Sequence, residues 1–371
     1  MASPNPYSAA GVDTAAGDLA VELMKSAVRG THGPEVLGGV GGFAGLFDAS
    51  ALLSYSKPLL ATSTDGVGTK IAIAQALDKH DTIGQDLVGM VVDDIVVVGA
   101  RPLFMTDYIA CGKVHPERIA SIVSGIAAGC SATGTALVGG ETAEHPGLLG
   151  PADYDVAGAA TGVVEADAVL GPDRVRSGDV VLALASSGLH SNGFSLVRHI
   201  VAQRGIGYGE NAAEFGTTWG EALLEPTRLY TSPLLRVIDA VPGVHALSHV
   251  TGGGIAANLA RVLPKGTWAE VDRSTWSPST VFRVLADLGG LELVDTEGTW
   301  NLGIGFLAVV APDAAAAAIA ALEADGIRTW QVGVVGDGPR PDGEFEHGAK
   351  GVDGGAVRLV GGYASAESGA K

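Results

Sequence analysis

The chain is poor in cysteine, in positive charge and in long hydrophobic runs. Only Cys111 and Cys130 occur in 371 residues, and their spacing fits neither a disulfide framework nor a zinc site. Lys and Arg number 23 against 41 Asp and Glu, for a net charge of -18, so a nucleic-acid-binding face is not expected. No uncharged apolar run of about eighteen residues occurs, and the N-terminus lacks a basic segment followed by an apolar one. We therefore expect no membrane span and no secretion, but a protein of the reducing cytoplasm.

Length and periodicity predict an α/β protein of two domains, since 371 residues exceed one domain of about 150. We place the first domain at residues 1–170 and the second at 171–345, followed by a partly disordered tail at 346–371. Strands are predicted at 59–61, 103–111, 136–138, 154–164, 179–184, 246–250, 300–310, 329–335 and 357–360. Helices are predicted at 13–28, 71–77, 83–100, 116–133, 196–204, 225–240, 282–288 and 312–325.

Residues 62–70, with the sequence TSTDGVGTK, follow a short apolar strand and combine features of a phosphate site and a cation site. Their glycines let the backbone approach a ligand, Asp65 can hold a hard cation, and Thr69 and Lys70 can meet anionic oxygens. The glycine spacing is not that of a Walker loop. The stretch therefore indicates a site for phosphate and magnesium, but it does not specify a reaction.

The helix predicted at 83–100 carries Asp86, Asp93 and Asp94 among apolar residues. Asp86 and Asp93 project within about 20° of each other on a helix. Carboxylates in so apolar a helix are costly to bury unless a cation or hydrogen-bond donors neutralise them. Together with Asp65 they predict an oxygen-ligand site for magnesium. The alternative is that one of them caps the helix or pairs with Arg101.

Two glycine-rich segments of the first domain predict ligand contacts. Residues 38–45, GGVGGFAG, hold five glycines, which suits a loop that wraps a ligand, although a flexible linker has the same composition. Glu141 follows Gly139 and Gly140 where a strand is predicted to end, a position from which a carboxylate can reach a ligand or serve as a helix N-terminal charge. Lys25 lies near the end of the first predicted helix, where its side chain either contacts a ligand or remains a solvated charge.

The second domain repeats one arrangement twice: a strand, a small polar turn and a helix N-terminus, which binds anions through free backbone amides. The first turn is SSGLHSNGFS at residues 186–195, and the second is TGGG at 251–254. His190 in the first turn can donate a proton or change charge near neutral pH, or it can simply be satisfied by its own backbone.

Taken together, these motifs resemble the phosphoribosylformylglycinamidine cyclo-ligase family, also called aminoimidazole ribonucleotide synthetase. The resemblance covers about residues 7–335. It rests on the segments 7–13, 38–45, 64–70, 86–102, 139–144, 188–193, 249–254 and 301–305, which occur in the family's order and spacing. It implies two α/β domains, a homodimer whose N-terminal sheets join into a barrel, and ATP-driven closure of an imidazole ring in purine synthesis.

The resemblance also implies a role for each matching residue. ATP contacts are implied at Lys25, Gly38, Gly39, Gly41, Gly42, Phe43, Thr69 and Lys70. Contacts to formylglycinamidine ribonucleotide are implied at Ser63, Thr64, His190, Ser191, Asn192, Thr251, Gly252 and Gly253. Magnesium ligands are implied at Asp65, Asp94 and Glu141. Among these residues, His190, Asp65 and Asp94 are the catalytic ones, with His190 handling a proton.

Two positions depart from the family pattern, and several other functions remain as alternatives. Asp93 stands where the family usually has asparagine, which adds a negative charge near the metal, and Ser8 replaces a common lysine. Selenophosphate synthetase, thiamine-monophosphate kinase and hydrogenase-maturation enzymes share the implied architecture. The first carries a reactive cysteine or selenocysteine in its glycine loop, and residues 38–45 have none. A nucleotide-binding regulatory dimer without turnover is an alternative of another class.

Overall fold

The computed structural model describes residues 13–39, 41–348 and 350–365. Ser8 therefore lies outside the described residues, as do residue 40 of the glycine-rich loop and residues 366–371 of the tail. The chain divides into two compact units: an N-terminal unit with residues up to 95 and 100–167, and a C-terminal unit with residues 96–99 and those from 168 onward.

The N-terminal unit is built on a four-stranded sheet with the order β3-β6-β4-β5. Its strands are β1 Val36–Leu37, β2 Leu46–Phe47, β3 Pro58–Gly66, β4 Arg101–Cys111, β5 Ala136–Glu144 and β6 Tyr154–Glu165, of which β1 and β2 pair separately. Its helices are α1 Thr14–Arg29, α2 Ile71–Leu77, α3 Ile83–Val96 and α4 Pro116–Thr133, with 3-10 turns at Ala49–Ser54 and Gly68–Lys70. The order of strands and helices predicted between residues 59 and 164 is confirmed.

Small residues on β6 let helix α3 pack closely on the sheet. A Cβ on Gly158 would lie 3.3 Å from a Leu87 methyl carbon, and one on Gly162 would lie 2.6 Å from a methyl carbon of Ile95. Leu87 and Ile95 are almost fully buried, so one face of the sheet forms the core of the unit.

Two strands of this unit are longer than the sequence pattern predicts. Strand β3 runs from Pro58 to Gly66, so that Asp65 lies in a strand and not in a loop. Strand β5 continues from Ala136 to Glu144 through both glycines, because it pairs in parallel with β4, which places Gly140 opposite Asp107. Helix α3, in contrast, ends at Val96 and not at residue 100; Gly99 follows with a φ of +78°.

The C-terminal unit is built on a seven-stranded mixed sheet with the order β10-β12-β7-β13-β11-β15-β14. Its strands are β7 Val180–Ala185, β8 Asn211–Ala212, β9 Thr217–Thr218, β10 Val244–His249, β11 Trp268–Asp272, β12 Ile304–Val310, β13 Thr329–Gly336, β14 Glu346–His347 and β15 Ala356–Val360. Its helices are α5 Phe194–Gln203, α6 Trp219–Leu223, α7 Thr231–Ala240, α8 Gly254–Val262, α9 Thr280–Gly289 and α10 Ala315–Ala324, with 3-10 turns at Arg273–Thr275 and Leu293–Thr296. β8 and β9 form a separate hairpin.

This sheet is covered on both faces, which explains its continuous apolar central strands. Every residue of β12 is buried. Phe306 packs in one core cluster with Leu234 and Leu322, while Leu307 packs in the other with Ile255 and Leu259. Successive side chains of a strand point to opposite faces, so helices α7 and α10 cover one face and α8 the other.

The strand predicted at 357–360 is confirmed: residues 356–360 form β15 between β11 and β14, so this part of the tail belongs to the sheet. Two other features of the C-terminal unit differ from the prediction. The helix predicted at 225–240 begins only at Thr231. Strand β11 was not predicted, because five alternating residues between two turns carry a weak pattern. Among the described residues, no helix combines the length and apolarity needed to cross a membrane.

Candidate functional site

The N-terminal unit contains a cavity of about 510 Å³ beneath the glycine-rich loop. A volume of roughly 300–1,000 Å³ is typical of sites for small molecules. Residues 36–39 and 41–45 form one wall, helix α1 contributes Ala20, Met24 and Val28, and strand β5 closes the other side. The predicted ATP-contacting residues Gly38, Gly39, Gly41, Gly42 and Phe43 all line this cavity.

The loop over the cavity is shaped by glycines in left-handed backbone conformations. Gly38 has a φ of +90° and Gly41 a φ of +101°, values that residues with a Cβ rarely adopt. Phe43 is fully exposed, although it is a large apolar residue. An exposed aromatic ring beside a cavity suits contact with a ligand.

Three predicted ATP-contacting residues do not line the cavity. The ammonium group of Lys25 lies 3.2 Å from Glu22 on the same helix, and Thr69 is exposed. Lys70 is fully buried and its Nζ donates to Asp86 Oδ1 at 2.9 Å, where Asp86 is also fully buried. The prediction that Lys70 meets ATP therefore needs correction, because the structure uses its charge to neutralise Asp86. Asp86 likewise has a buried cation partner, which neutralises its charge without a metal.

The acidic residues predicted to hold magnesium differ in exposure. Asp65 is half-buried near the end of β3 and its Oδ1 accepts from the Gly66 N–H at 2.7 Å. Asp94 and Glu141 are exposed, whereas Asp93 is fully buried. Of the predicted substrate contacts on β3, Ser63 is half-buried and Thr64 exposed.

A magnesium ion fits this donor set. The described residues contain no group of three acidic, histidine or cysteine side chains that could hold a metal by themselves. Mg²⁺ usually takes one or two carboxylates and completes its shell with water and substrate phosphates. Asp65 and Asp94 supply carboxylate oxygens of the required kind, so ATP phosphates would provide the remaining ligands.

Asp107 is a cavity residue that sequence reasoning missed. It lies on β4, it lines the cavity, and burial raises its pKa to about 7. It also stands in the same row of the sheet as Asp65, since both pair with Gly158. The signal in the sequence was a single aspartate within an apolar strand, where a carboxylate is costly to bury.

In the C-terminal unit, the two polar turns meet at one edge of the sheet. Strands β7 and β10 both run antiparallel to β12, which lies between them, so they are parallel to each other. Their C-terminal ends therefore share an edge, and the turns that follow them are neighbours. A Cβ on Gly252 would lie 3.7 Å from Asn192 Oδ1, which brings the second turn into contact with the first. This edge thus brings together the predicted substrate residues His190, Ser191, Asn192, Thr251, Gly252 and Gly253.

His190 lies beneath the first turn and not on its surface. Its side chain is 1% exposed, its φ is +59°, and its Nε2 accepts the Ser187 N–H at 3.2 Å. Because Nε2 accepts, the neutral ring carries its proton on Nδ1. Gly305 on β12 provides the space, since a Cβ there would overlap His190 Cε1 and the Tyr230 hydroxyl.

Two buried asparagines hold the turns, and sequence reasoning missed both. Asn301 donates to the Gly188 carbonyl at 2.8 Å, accepts the Gly303 N–H at 2.9 Å, and accepts from the Ser186 hydroxyl at 3.2 Å. Asn258 donates to the Gly254 carbonyl at 2.8 Å and to the Thr251 carbonyl at 3.2 Å. Buried amides that bond backbone groups fix loop geometry without contacting a ligand themselves.

Comparison with known proteins matches both units to one family. Residues 47–164 match the AIR synthase related protein, N-terminal domain, and residues 176–346 match the AIR synthase related protein, C-terminal domain. A phosphoribosylformylglycinamidine cyclo-ligase from Thermosynechococcus vestitus is 48% identical over 329 residues, which cover 89% of this chain and 96% of the relative.

Solved structures share the fold at low sequence identity. E. coli HypE, a hydrogenase maturation protein, aligns with a TM-score of 0.62 at 20% identity over 95% of each chain. HypE in complex with ATP aligns with a TM-score of 0.61 at 16% identity, over 92% of this chain and 91% of that one. Thiamine-monophosphate kinase from Stenotrophomonas maltophilia K279a has a TM-score of 0.61 at 19% identity, over 92% of this chain and 97% of that one. These likenesses establish the fold alone.

Proposed function

The chain belongs to the phosphoribosylformylglycinamidine cyclo-ligase family, and we propose that it binds ATP in the cavity of its N-terminal unit and the ribonucleotide substrate at the paired turns of its C-terminal unit. The reaction is the ATP-dependent cyclisation of formylglycinamidine ribonucleotide to aminoimidazole ribonucleotide, with release of ADP and phosphate, in de novo purine biosynthesis. The glycine-lined cavity of about 510 Å³ carries the nucleotide assignment.

The chemistry needs the formyl oxygen of the substrate to attack the γ-phosphorus of ATP, which releases ADP and leaves that oxygen phosphorylated. The amidine nitrogen then attacks the formyl carbon, loses a proton and expels phosphate, which closes the ring. Phosphoryl transfer depends on positioning and charge neutralisation more than on covalent help from the protein. Bound magnesium would supply positive charge to the phosphate oxygens.

In the N-terminal unit, Asp65 and Asp94 would hold magnesium, with Glu141, which lines the cavity, as a third oxygen donor. The residues that line the loop side of the cavity, Gly38, Gly39, Gly41, Gly42 and Phe43, enclose the nucleotide. Lys25 and Thr69 lie outside the cavity lining and remain proposed contacts of the polyphosphate.

The C-terminal unit holds the ribose phosphate and the reacting end of the substrate. Ser191, Asn192 and residues 251–253 offer hydroxyl, amide and backbone N–H donors at one sheet edge. His190 handles the proton that the amidine nitrogen loses on ring closure. Ser63 and Thr64 are proposed substrate contacts from strand β3.

We further propose a homodimer formed through the N-terminal sheet, and reaction in the cytoplasm. The sheet face opposite the helices exposes Leu60 and Tyr108, at 63% and 41%. An exposed apolar face on a sheet suits association with a second copy. The cytoplasmic assignment rests on the two buried free cysteines.

Two alanine substitutions test whether the glycine-rich loop binds the nucleotide, because one of them forces a change in backbone conformation and the other does not. Gly41→Ala places a Cβ at a φ of +101°, whereas Gly42→Ala places one at an ordinary φ with its nearest neighbour 3.6 Å away. We expect Gly41→Ala to weaken Mg-ATP binding about tenfold in isothermal titration calorimetry, because the loop must change shape. Gly42→Ala is expected to bind within about threefold of the unchanged protein. Equal affinity in both variants would remove the loop from the nucleotide site.

A further inference from the structure

Asp107 is placed to contact a ligand that fills the cavity. It shares a face of β4 with Met105 and Ile109, which are fully buried, so its side chain points toward the helices. Unlike those two residues, Asp107 lines the cavity. The apolar walls around it include Met24, Val28 and Leu137.

The neighbouring strand keeps space free for this carboxyl group. Gly140 pairs with Asp107 across the β4–β5 ladder, and a Cβ on Gly140 would overlap Asp107 Oδ1. The second glycine of the Gly139–Gly140 pair is thus explained by the position of the aspartate. A side chain at residue 140 would displace the carboxyl group from its place at the floor of the cavity.

No positive charge compensates Asp107 within the described part of the chain. No lysine, arginine or histidine forms an ion pair with it there, and the hydrogen bond that lowers its pKa comes from its own backbone N–H. Burial outweighs that hydrogen bond and raises the pKa to about 7. Near neutral pH this carboxyl group is therefore available both as a donor, through its O–H, and as an acceptor, through its carbonyl oxygen.

We propose that Asp107 recognises the 6-amino and N1 edge of the adenine base of ATP. The inference rests on the proposed nucleotide site. Adenine presents a donor at its 6-amino group and an acceptor at N1, and a carboxyl group that accepts from the first and donates to the second matches both.

The position of Asp107 relative to the magnesium ligand agrees with this assignment. Asp65 and Asp107 lie two strands apart in one row of the sheet, joined through Gly158. Two strand spacings are about 10 Å, a separation that one nucleoside triphosphate can bridge between its base and its phosphates. The apolar walls suit the faces of a purine ring.

The test compares the binding of two nucleotides by isothermal titration calorimetry in the presence of magnesium. Purine riboside 5′-triphosphate differs from ATP only in lacking the 6-amino group. We expect the unchanged protein to bind ATP about tenfold more tightly than purine riboside triphosphate. This comparison needs no variant and does not depend on turnover.

Two substitutions of similar size then assign the discrimination to residue 107. Asp107→Asn keeps a donor and an acceptor, so it retains the preference for ATP over purine riboside triphosphate. Asp107→Leu removes both, so the two nucleotides bind equally. Thr142→Val, in the same cavity, is the control and leaves the ratio unchanged.

Three results would overturn the inference. The first is an unchanged ATP preference in Asp107→Leu, or purine riboside triphosphate bound as tightly as ATP by the unchanged protein. The second is equal weakening of ATP and purine riboside triphosphate in Asp107→Asn, which would place the carboxyl group on the phosphates or magnesium. Complete absence of ATP binding to the unchanged protein would overturn the proposed nucleotide site as well, whereas the first two results leave that site intact.

Discussion

Lys70 Nζ lies 2.9 Å from Asp86 Oδ1, and both side chains are fully buried in the N-terminal unit. The pair connects the turn after β3 to helix α3, and thus the segment that carries Asp65 to the helix that carries Asp94. A lysine that follows a glycine-containing phosphate motif is therefore a structural residue here. Its charge makes burial of an aspartate in an apolar helix possible.

Removing one member of this pair should destabilise the protein strongly. Lys70→Met leaves Asp86 buried without its cation, and we expect a loss of about 3–5 kcal/mol in the free energy of unfolding. The double variant Lys70→Met/Asp86→Leu should regain most of that loss. Chemical denaturation measures both values.

The matched control is an exposed pair of similar geometry. Lys79 lies 2.9 Å from Asp81, with side chains 41% and 60% exposed. Lys79→Met should cost less than about 1 kcal/mol. A Lys70→Met protein of unchanged stability that loses ATP affinity would restore Lys70 to the nucleotide site.

Local patterns predicted the helices and the two-unit architecture better than the strand bounds. Helix Pro116–Thr133 matches its predicted range, because Pro116 at its start and Gly134 in a left-handed conformation after its end are local signals. Strands β3 and β5 were predicted too short, because residues 62–66 and 139–144 are polar or glycine-rich. They are extended because neighbouring strands pair with them. This pairing between distant segments cannot be predicted from a local sequence pattern.

A methyl group at residue 305 tests the position of His190 without changing any polar group. Gly305→Ala places a Cβ against His190 Cε1 and the Tyr230 hydroxyl. We expect kcat to fall at least about tenfold while Mg-ATP affinity stays unchanged, because the overlap displaces the imidazole ring. Steady-state kinetics and calorimetry measure the two quantities.

Gly298→Ala is the control for this substitution. A Cβ at residue 298 has no neighbour within 4 Å, so this variant should keep kcat within about twofold. A Gly305→Ala protein that folds and turns over normally would show that the placement of His190 does not limit the reaction.

Loss of the Asn301 amide should loosen the first turn of the C-terminal unit. Asn301→Leu keeps the volume and removes bonds to Gly188, Gly303 and Ser186. We expect a rise of about tenfold in KM for formylglycinamidine ribonucleotide and a stability loss of about 1–3 kcal/mol, because buried backbone groups lose their partners. Ser186→Ala removes one of these bonds and should give a smaller rise in KM. An unchanged KM in Asn301→Leu would separate this turn from the substrate.

Exposure separates the two adjacent aspartates of helix α3. Asp94 is exposed and Asp93 is fully buried. Asp94→Ala should lower turnover at least about a hundredfold at saturating magnesium and leave the proposed dimer intact, because a proposed ligand to the metal is lost. Asp93→Asn should retain activity. Retained turnover in Asp94→Ala would remove that residue from the metal site.

The site was predictable from the sequence where its residues lie within one motif, and not where distant segments meet. The glycine loop and both polar turns are contiguous in sequence. The contacts of Asp107 with Gly140, and of His190 with Gly305, join residues far apart in the chain. The position of Lys70 within residues 62–70 suggested a contact with phosphate. Its buried partner, Asp86, lies in helix α3, which the local motif does not include.

The most direct test of the account is whether ATP cleavage depends on the ribonucleotide substrate. Purified protein with magnesium and ATP is assayed for ADP release, and a coupled assay follows aminoimidazole ribonucleotide. We predict ADP release only when formylglycinamidine ribonucleotide is present, with one aminoimidazole ribonucleotide formed per ADP. Equal ADP release without that substrate, or ADP release without aminoimidazole ribonucleotide, would contradict the assignment.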